Sequence, residues 1–193
     1  MSLQKINTRT AILVLMIVAA AAMRFVSYKF PYVLSNFTPV GAIALFGGAY
    51  FTDKWKGYAV VLVTLFASDV LINYLYTSQW FLWSPNSYGV YIAFALIVFV
   101  GSLIKKANVA NVGIASLAAV AIHWLITDIP WESGAAALYP RTLAGYGASL
   151  VAAIPFERNM LLGDIVFCAI LFGGFELAKN KYTFLRSQKE LAV

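Results

Sequence analysis

The sequence is poor in charge. Asp, Glu, Lys and Arg make up 11% of its 193 residues, under half the share of an ordinary soluble domain. Hydrophobic residues make up 62%. A globule of this size cannot bury that much apolar surface, so the bilayer must serve as its solvent. Cys168 is the one cysteine and lies in an apolar run, which excludes an intrachain disulfide or thiolate-metal framework and reads as a small core residue. His123 is the one histidine. There is no HExxH, no GxSxG and no Walker-type GxxxxGK(S/T). No cofactor or metal is therefore implied, and the chain has no means of hydrolysing ATP. A transporter built on it would run passively or with an energising partner. The net charge of +6 would suggest nucleic acid in a soluble protein. Here the basic residues form short clusters between apolar runs, which is the pattern of membrane orientation, so no nucleic-acid partner is expected.

What is present is a series of apolar runs, read as spans at about 10–26, 39–52, 58–76, 88–104, 109–127 and 160–178. Lys5 and Arg9 precede the first, which ends in four alanines. Signal peptides share that pattern, and the alternative is a short retained span, since five more apolar runs follow. The second run opens on Asn36-Phe37-Thr38-Pro39, with Pro39 expected in the first helical turn and Thr38 or Asn36 near the cap. Its Ala44 and Gly48 form a small-xxx-small pair that permits close helix contact. Asp53 to Gly57 reads as a tight turn. An outer loop, 128–158, joins the last two spans. Within it the apolar stretch 143–156, about 14 residues long, is too short to cross and suits an interfacial or re-entrant helix. Ala144, Ala148 and Ala152 form one small-residue row on it, and Gly145, Ser149 and Ala153 another.

The expected fold class is an all-α integral membrane protein forming one domain over 1–193. It has six transmembrane helices plus a short interfacial or re-entrant helix between the fifth and sixth. Lys5, Arg9, Lys54, Lys56, Lys105, Lys106, Lys179, Lys181, Arg186 and Lys189 would share one side, against Arg24, Lys29, Arg141 and Arg158 on the other. That asymmetry places both termini in the cytoplasm of a multi-pass cell (inner) membrane protein.

Ionisable groups at membrane depth are costly and therefore informative. Asp69 lies about 12 residues into the third span, ~18 Å from its inner end, and Asn73 follows at i+4 on the same face. His123 sits at a similar level in the fifth span, with Thr127 on its face. Asp164 falls about four residues, roughly 6 Å, below the outer start of the sixth. One reading is an outward-facing pocket with Asp69, Asn73, His123 and Asp164 near its floor. The other is hydrogen bonding that merely fixes the bundle. Trp83, Trp124, Trp131 and Tyr139 would stack on or cover a ligand, or simply form the interfacial aromatic belt. Asp128, Pro130, Glu132 and Arg141 suit a lid, with Arg141 offered to an anionic group, and Asn159 completes the candidate set. Glu176, near the inner end, is read as structural, pairing with Lys179 or Asn180.

The segments NFTPVGAIALFGGAYF (36–51), HWLITDIPW (123–131), YPRTLAG (139–145) and IPFERNMLLGD (154–164) resemble those of a family of small six-span membrane proteins grouped as transport proteins without an assigned substrate. That family is similar in turn to the S (substrate-binding) components of energy-coupling-factor (ECF) vitamin transporters. The resemblance implies a monomeric six-helix bundle that captures a vitamin-like solute under outer loops. It also implies a membrane subunit with a cytoplasmic ATPase as energising partner. S components often present an alanine-xxx-alanine face on the first helix to that subunit. Here Ala11, Leu15, Ala19 and Met23 form one such row and Val18 with Ala22 the next, an incomplete version. The expected function is uptake of a small water-soluble solute, aromatic vitamins and metal-chelate cofactor precursors being the classes considered. The rivals are a membrane enzyme using His123 with Asp69 or Asp164 as an acid-base pair, and a non-transporting assembly subunit.

Overall fold

The computed structural model describes residues 7–83, 85–131 and 137–187, with the side chains at 32–33 and 85–86 excepted. Among the described residues every regular element is helical. Helix α1 (Thr8–Ala22) runs through Met23 into α2 (Arg24–Lys29), and one turn, α3 (Pro31–Leu34), leads to α4 (Val40–Tyr50). Then come α5 (Lys54–Thr77), α6 (Pro85–Ser102), α7 (Val109–Thr127) and α8 (Leu143–Cys168). A π-helical turn (Ala169–Gly173) carries α8 into α9 (Gly174–Lys181). Thr8–Lys29, Lys54–Thr77, Val109–Thr127 and Leu143–Lys181 are long and apolar enough to cross a membrane, which makes this a membrane protein. Helices α4 and α6 are apolar but shorter.

Helix α4 is the hub. Every residue from Val40 to Tyr50 except Ala49 is buried, as expected of a helix apolar all round. Its heaviest packing is on α6, followed by α5 and α8. The contact with α6 is backbone against backbone. A Cβ on Gly48 would stand 2.0 Å from the Val98 carbonyl oxygen, and one on Gly101 would stand 2.3 Å from that of Leu45. Toward α9 the contact is aromatic, with Phe46 edge-on to Phe175 at 5.6 Å. Leu13, Ile17 and Ala21 of α1 are buried in the same core, so the first apolar run is a working part of the bundle.

Three local expectations are corrected. Pro39 itself occupies the N-cap position of α4, just outside its first turn, and supplies no side-chain cap. Asp53 is the N-cap of α5, which starts at Lys54 where a longer turn was expected. Most importantly, 143–156 is no separate re-entrant helix, and the loop expected over 128–158 ends at Thr142. Leu143–Lys181 is one helical run of 39 residues, about 58 Å long at 1.5 Å per residue. Pro155 lies inside it. The polar residues that looked like a helix end find partners within the bundle. Glu157 Oε1 meets His123 Nδ1 at 2.9 Å, and Asn159 Nδ2 donates to the Ser35 carbonyl at 2.9 Å. With Glu157 and Asn159 each making a contact inside the bundle, the backbone stays helical through them. Of its two small-residue rows, Gly145, Ser149 and Ala153 are buried, whereas Ala144, Ala148 and Ala152 are exposed.

Arg9, Phe51, Thr52, Lys54, Ile104–Ala107 and Ser187 all border one cavity. Both described chain ends and these connections therefore share a face, here the terminal face. Helices α7 and α8 run antiparallel, with Ser116 opposite Asp164, His123 opposite Glu157 and Trp124 opposite Leu150.

The glycine contact can be tested directly. Gly48→Ala should cost about 2–3 kcal/mol by forcing α4 off α6. Gly113→Ala, where the added methyl meets open space, should be neutral or stabilising by up to about 1 kcal/mol. Denaturant unfolding in detergent micelles reads both, and equal effects would remove α4 from the centre of the packing.

Candidate solute site

The continuation of α1 into α2 carries Arg24 inward instead of into a loop. Its Nη2 meets Asp69 Oδ1 on α5 at 2.6 Å. Its Nη1 donates to Ser68 Oγ and to the Leu65 carbonyl. Tyr91 of α6 donates its hydroxyl to the other Asp69 oxygen at 3.0 Å. The guanidinium and carboxylate are 15% and 24% exposed, too sheltered for a freely solvated surface pair. Each charge therefore depends on the other, and removing one partner costs more than the pair itself gains.

This cluster lines a cavity of about 460 Å³, within the usual range for small-molecule pockets. Asn73 joins Asp69 from α5, His123 comes from α7 and Met160 from α8, while Phe81 and Leu82 come from the α5–α6 connection. Asn36 and Thr38 enter from the segment before α4. Asn36 has φ of 59°, a left-handed conformation that Asn tolerates better than most residues. Ser27 Oγ donates to the Phe37 carbonyl at 2.7 Å, and Asn159 holds Ser35 as described. Non-helical backbone of this kind is tolerated in a membrane protein where it is buried in protein or lines a cavity.

The structure divides the sequence-selected residues. Asp69, Asn73 and His123 line one cavity. Trp83 lies beside it, stacked on Tyr91 with ring centroids 5.1 Å apart, and is 45% exposed. Thr127, Asp128, Trp131 and Tyr139 line a second cavity of about 240 Å³ between the end of α7 and the start of α8. There Ser149 Oγ donates to Asp128 at 3.4 Å. Burial and the nearby Glu157 carboxylate raise the Asp128 pKa above the usual value, against the opposing pull of His123 and Ser149. Trp124 donates its indole N–H to the Leu150 carbonyl, so it joins α7 to α8. Arg141 holds the Pro130 and Trp131 carbonyls, which ties the loop to itself. Asn159 positions Ser35. Glu132 lies outside the described residues. Glu176 accepts from Lys179 Nζ and from the Tyr50 hydroxyl.

Asp164 is the clearest departure. It was expected about 6 Å below the outer start of a span. It is instead the twenty-second residue of a helix starting at Leu143, ~32 Å along it, and is fully buried. It is absent from the cavity lining and sits against the first turn of α4. Ser116 Oγ lies 3.4 Å from its Oδ2, and the Ala42 backbone N–H faces the carboxylate. A Cβ on Gly41 would fall 2.3 Å from Oδ1. The carboxylate fits only because residue 41 has no side chain, and it complements the positive end of α4.

Sequence reasoning missed three residues. Arg24 was counted only as a basic residue on the side opposite the termini, although the apolar run continues through Phe25 and Val26 and so carries it into the helix. Tyr91 was not singled out among the aromatic residues. Glu157 was read as part of a loop, yet it is the hydrogen-bond partner of His123, in place of Asp69 or Asp164. Its second oxygen, Oε2, is buried without a hydrogen-bond partner among the described residues. Among those residues no group of three or more His, Cys, Asp or Glu is placed to hold a metal ion.

An all-helical membrane protein with a polar cavity between its helices is the class these features define. The chain belongs to a family of unknown function, DUF6580, whose model matches residues 4–188. Neither the curated proteins nor the solved structures contain a match to it.

A double-mutant cycle tests the Arg24–Asp69 pair. Arg24→Leu and Asp69→Leu should each cost about 2–3 kcal/mol in micelle unfolding, and the double variant should cost no more than either single one. Additive costs would show that the pair is not a unit.

Proposed function

We propose that this protein is a membrane uptake protein that binds a small water-soluble solute in the Arg24–Asp69 cavity, in the manner of an ECF S component. In this reading six helices cross the membrane, both chain ends lie in the cytoplasm, and the cavity faces outward. The observation that carries the reading is convergence. Six helices and the 35–39 segment each contribute a side chain to one cavity that mixes an ion pair, two amides, an imidazole and a phenol with apolar walls. Packing alone gives no reason to line a cavity with these groups, whereas fixing the orientation of a polar ligand does. Because Arg24 and Asp69 neutralise each other, the cavity suits a neutral or zwitterionic molecule with donors and acceptors at its edge. Trp83 and Tyr91 would offer a stacking surface to a flat ring. The 128–142 connection, with its second cavity, would act as the gate.

The exposed row Ala11, Leu15, Val18, Ala19, Ala22 and Met23 on α1 supports an energising membrane subunit as partner, because small and flexible side chains let another helix approach closely.

One observation favours the enzyme reading. His123 lines the cavity while its Nδ1 is hydrogen-bonded to Glu157, the arrangement of a base and its orienting carboxylate. Loss of turnover with binding retained in His123→Ala would establish that reading over uptake.

The direct experiment is mass spectrometry of small molecules released from gently purified protein, with an Asp69→Ala/His123→Ala variant beside it. The expected result is a polar compound carried by the wild type and reduced at least tenfold in the variant, a loss of about 1.4 kcal/mol or more. A compound carried equally by both would move the site elsewhere.

A further inference from the structure

His123, Glu157 and Asp128 form a cluster that reaches from one cavity to the other. His123 lines the solute cavity. Asp128, at the C-terminal cap of the same helix, lines the second one. Glu157 borders neither. Its side chain, 7% exposed, reaches from α8 to place Oε1 2.9 Å from His123 Nδ1. The Asp128 carboxylate interacts electrostatically with both. Among the described residues neither carboxylate is paired with a lysine or arginine: Glu157 meets His123, and Asp128 meets Ser149.

The surrounding groups are uncharged or held elsewhere. From α6 come the Phe94 ring, 5.7 Å from that of His123, and Tyr91, whose hydroxyl goes to Asp69. Across the cavity Arg24 and Asp69 hold each other, and Asn36 and Thr38 are neutral. Tyr139 lies beside Asp128, and Arg141 holds the Pro130 and Trp131 carbonyls. On α8 Arg158 is exposed, and Asp164 only adds another carboxyl near Glu157. A buried carboxylate without a cation is costly. A protonated His123 is the cation this cluster can make for itself. Glu157 Oε2, buried with no hydrogen-bond partner among the described residues, sharpens the need, because hydrogen bonds to that oxygen do not hold the charge. A pair kept only for packing would satisfy both oxygens. The contact also decides which ring atom titrates. A carboxylate accepts from Nδ1–H in either state of the ring, so the proton is gained and lost at Nε2. One proton from water then switches His123 from acceptor to donor.

We propose that His123, Glu157 and Asp128 form one proton-binding site shared by the two cavities, with the proton taken up on His123 and stabilised by the two carboxylates. The use of that proton rests on the uptake reading: a solute offering an acceptor to His123 would enter together with a proton. The site itself is tested with no solute added. The chain has a single histidine, so isotope labelling of the histidine ring gives an NMR signal from His123 alone. The full-length protein in neutral detergent is followed from about pH 5 to about pH 9, the range in which an imidazole changes charge. In the wild type the ring should pass from charged to neutral within that range. Glu157→Gln should weaken proton binding at least tenfold and move the transition to lower pH, because a carboxylate in contact favours the charged ring. Asp128→Asn should weaken it about threefold, its charge acting without direct contact. Asp128 is only partly buried, so this variant tests the site even if Glu157→Gln fails to fold, and helical content checks both. Asp53→Asn, which removes a carboxylate paired with Lys56 and outside both cavities, should leave the transition in place. A ring that keeps one charge state throughout would overturn the proposal, as would an unmoved transition in either Glu157→Gln or Asp128→Asn. The expected titration in a protein that releases no compound would sink the uptake reading and leave the proton site standing.

Discussion

Close backbone contact around α4 is the constraint on which the rest of the structure depends. An eleven-residue helix apolar on every side is stable only when other helices cover it completely. In a bilayer there is little hydrophobic gain in exchanging lipid for protein, so the covering must come from tight van der Waals packing. The glycines supply it. Gly48 and Gly101 bring α4 and α6 within a distance no side chain would permit, and Gly41 admits the Asp164 carboxylate to the first turn of α4. Because α4 is short and begins deep in the bundle, the 35–39 segment before it must descend to meet it. That descent brings Asn36 and Thr38 to the cavity.

The cavity is a consequence of that geometry and of one ion pair. Arg24 and Asp69 would each be expensive alone at this depth. Together, with Tyr91 and Ser68 as further hydrogen-bond partners, they form a polar wall that joins α2, α5 and α6. The opposite wall is α7 against α8, joined by His123 to Glu157 and by Trp124 to Leu150. Two joined pairs of surfaces with a descending segment between them leave a cavity, because neither pair can collapse without breaking its own hydrogen bonds. As the proposed solute site, such a cavity would be built before any ligand arrives, so less of the binding energy would be lost to ordering it.

Hydropathy made the helical character and the membrane setting readable from sequence. Each long apolar run is a helix, because in lipid an unpaired backbone is too costly for much else. That Asp69, Asn73 and His123 could meet was also readable, since helical rise puts them at one level, and they line one cavity. What was not readable is partner choice. Glu157 and Asn159 have the composition of a loop, and only the neighbouring surfaces of α7 and the 35–39 segment allow them inside a helix. Asp164 was misplaced for the same reason. Its depth was counted from an assumed helix start, and the true start lies at Leu143. Arg24 shows the reverse error, for a cation at the end of an apolar run reads as an interfacial anchor until a carboxylate is found opposite it.

The proposed uptake role requires an aqueous polar cavity reached from the side opposite the two described chain ends. The most direct test is cysteine accessibility at Asn73, which lines that cavity, in a background where the buried Cys168 is replaced by alanine. A membrane-impermeant maleimide applied to oriented vesicles should label Asn73→Cys from the side of the 77–87 connection, and not from the side of the chain ends. Labelling from the side of the ends, or from neither side while a permeant maleimide reacts, would contradict it.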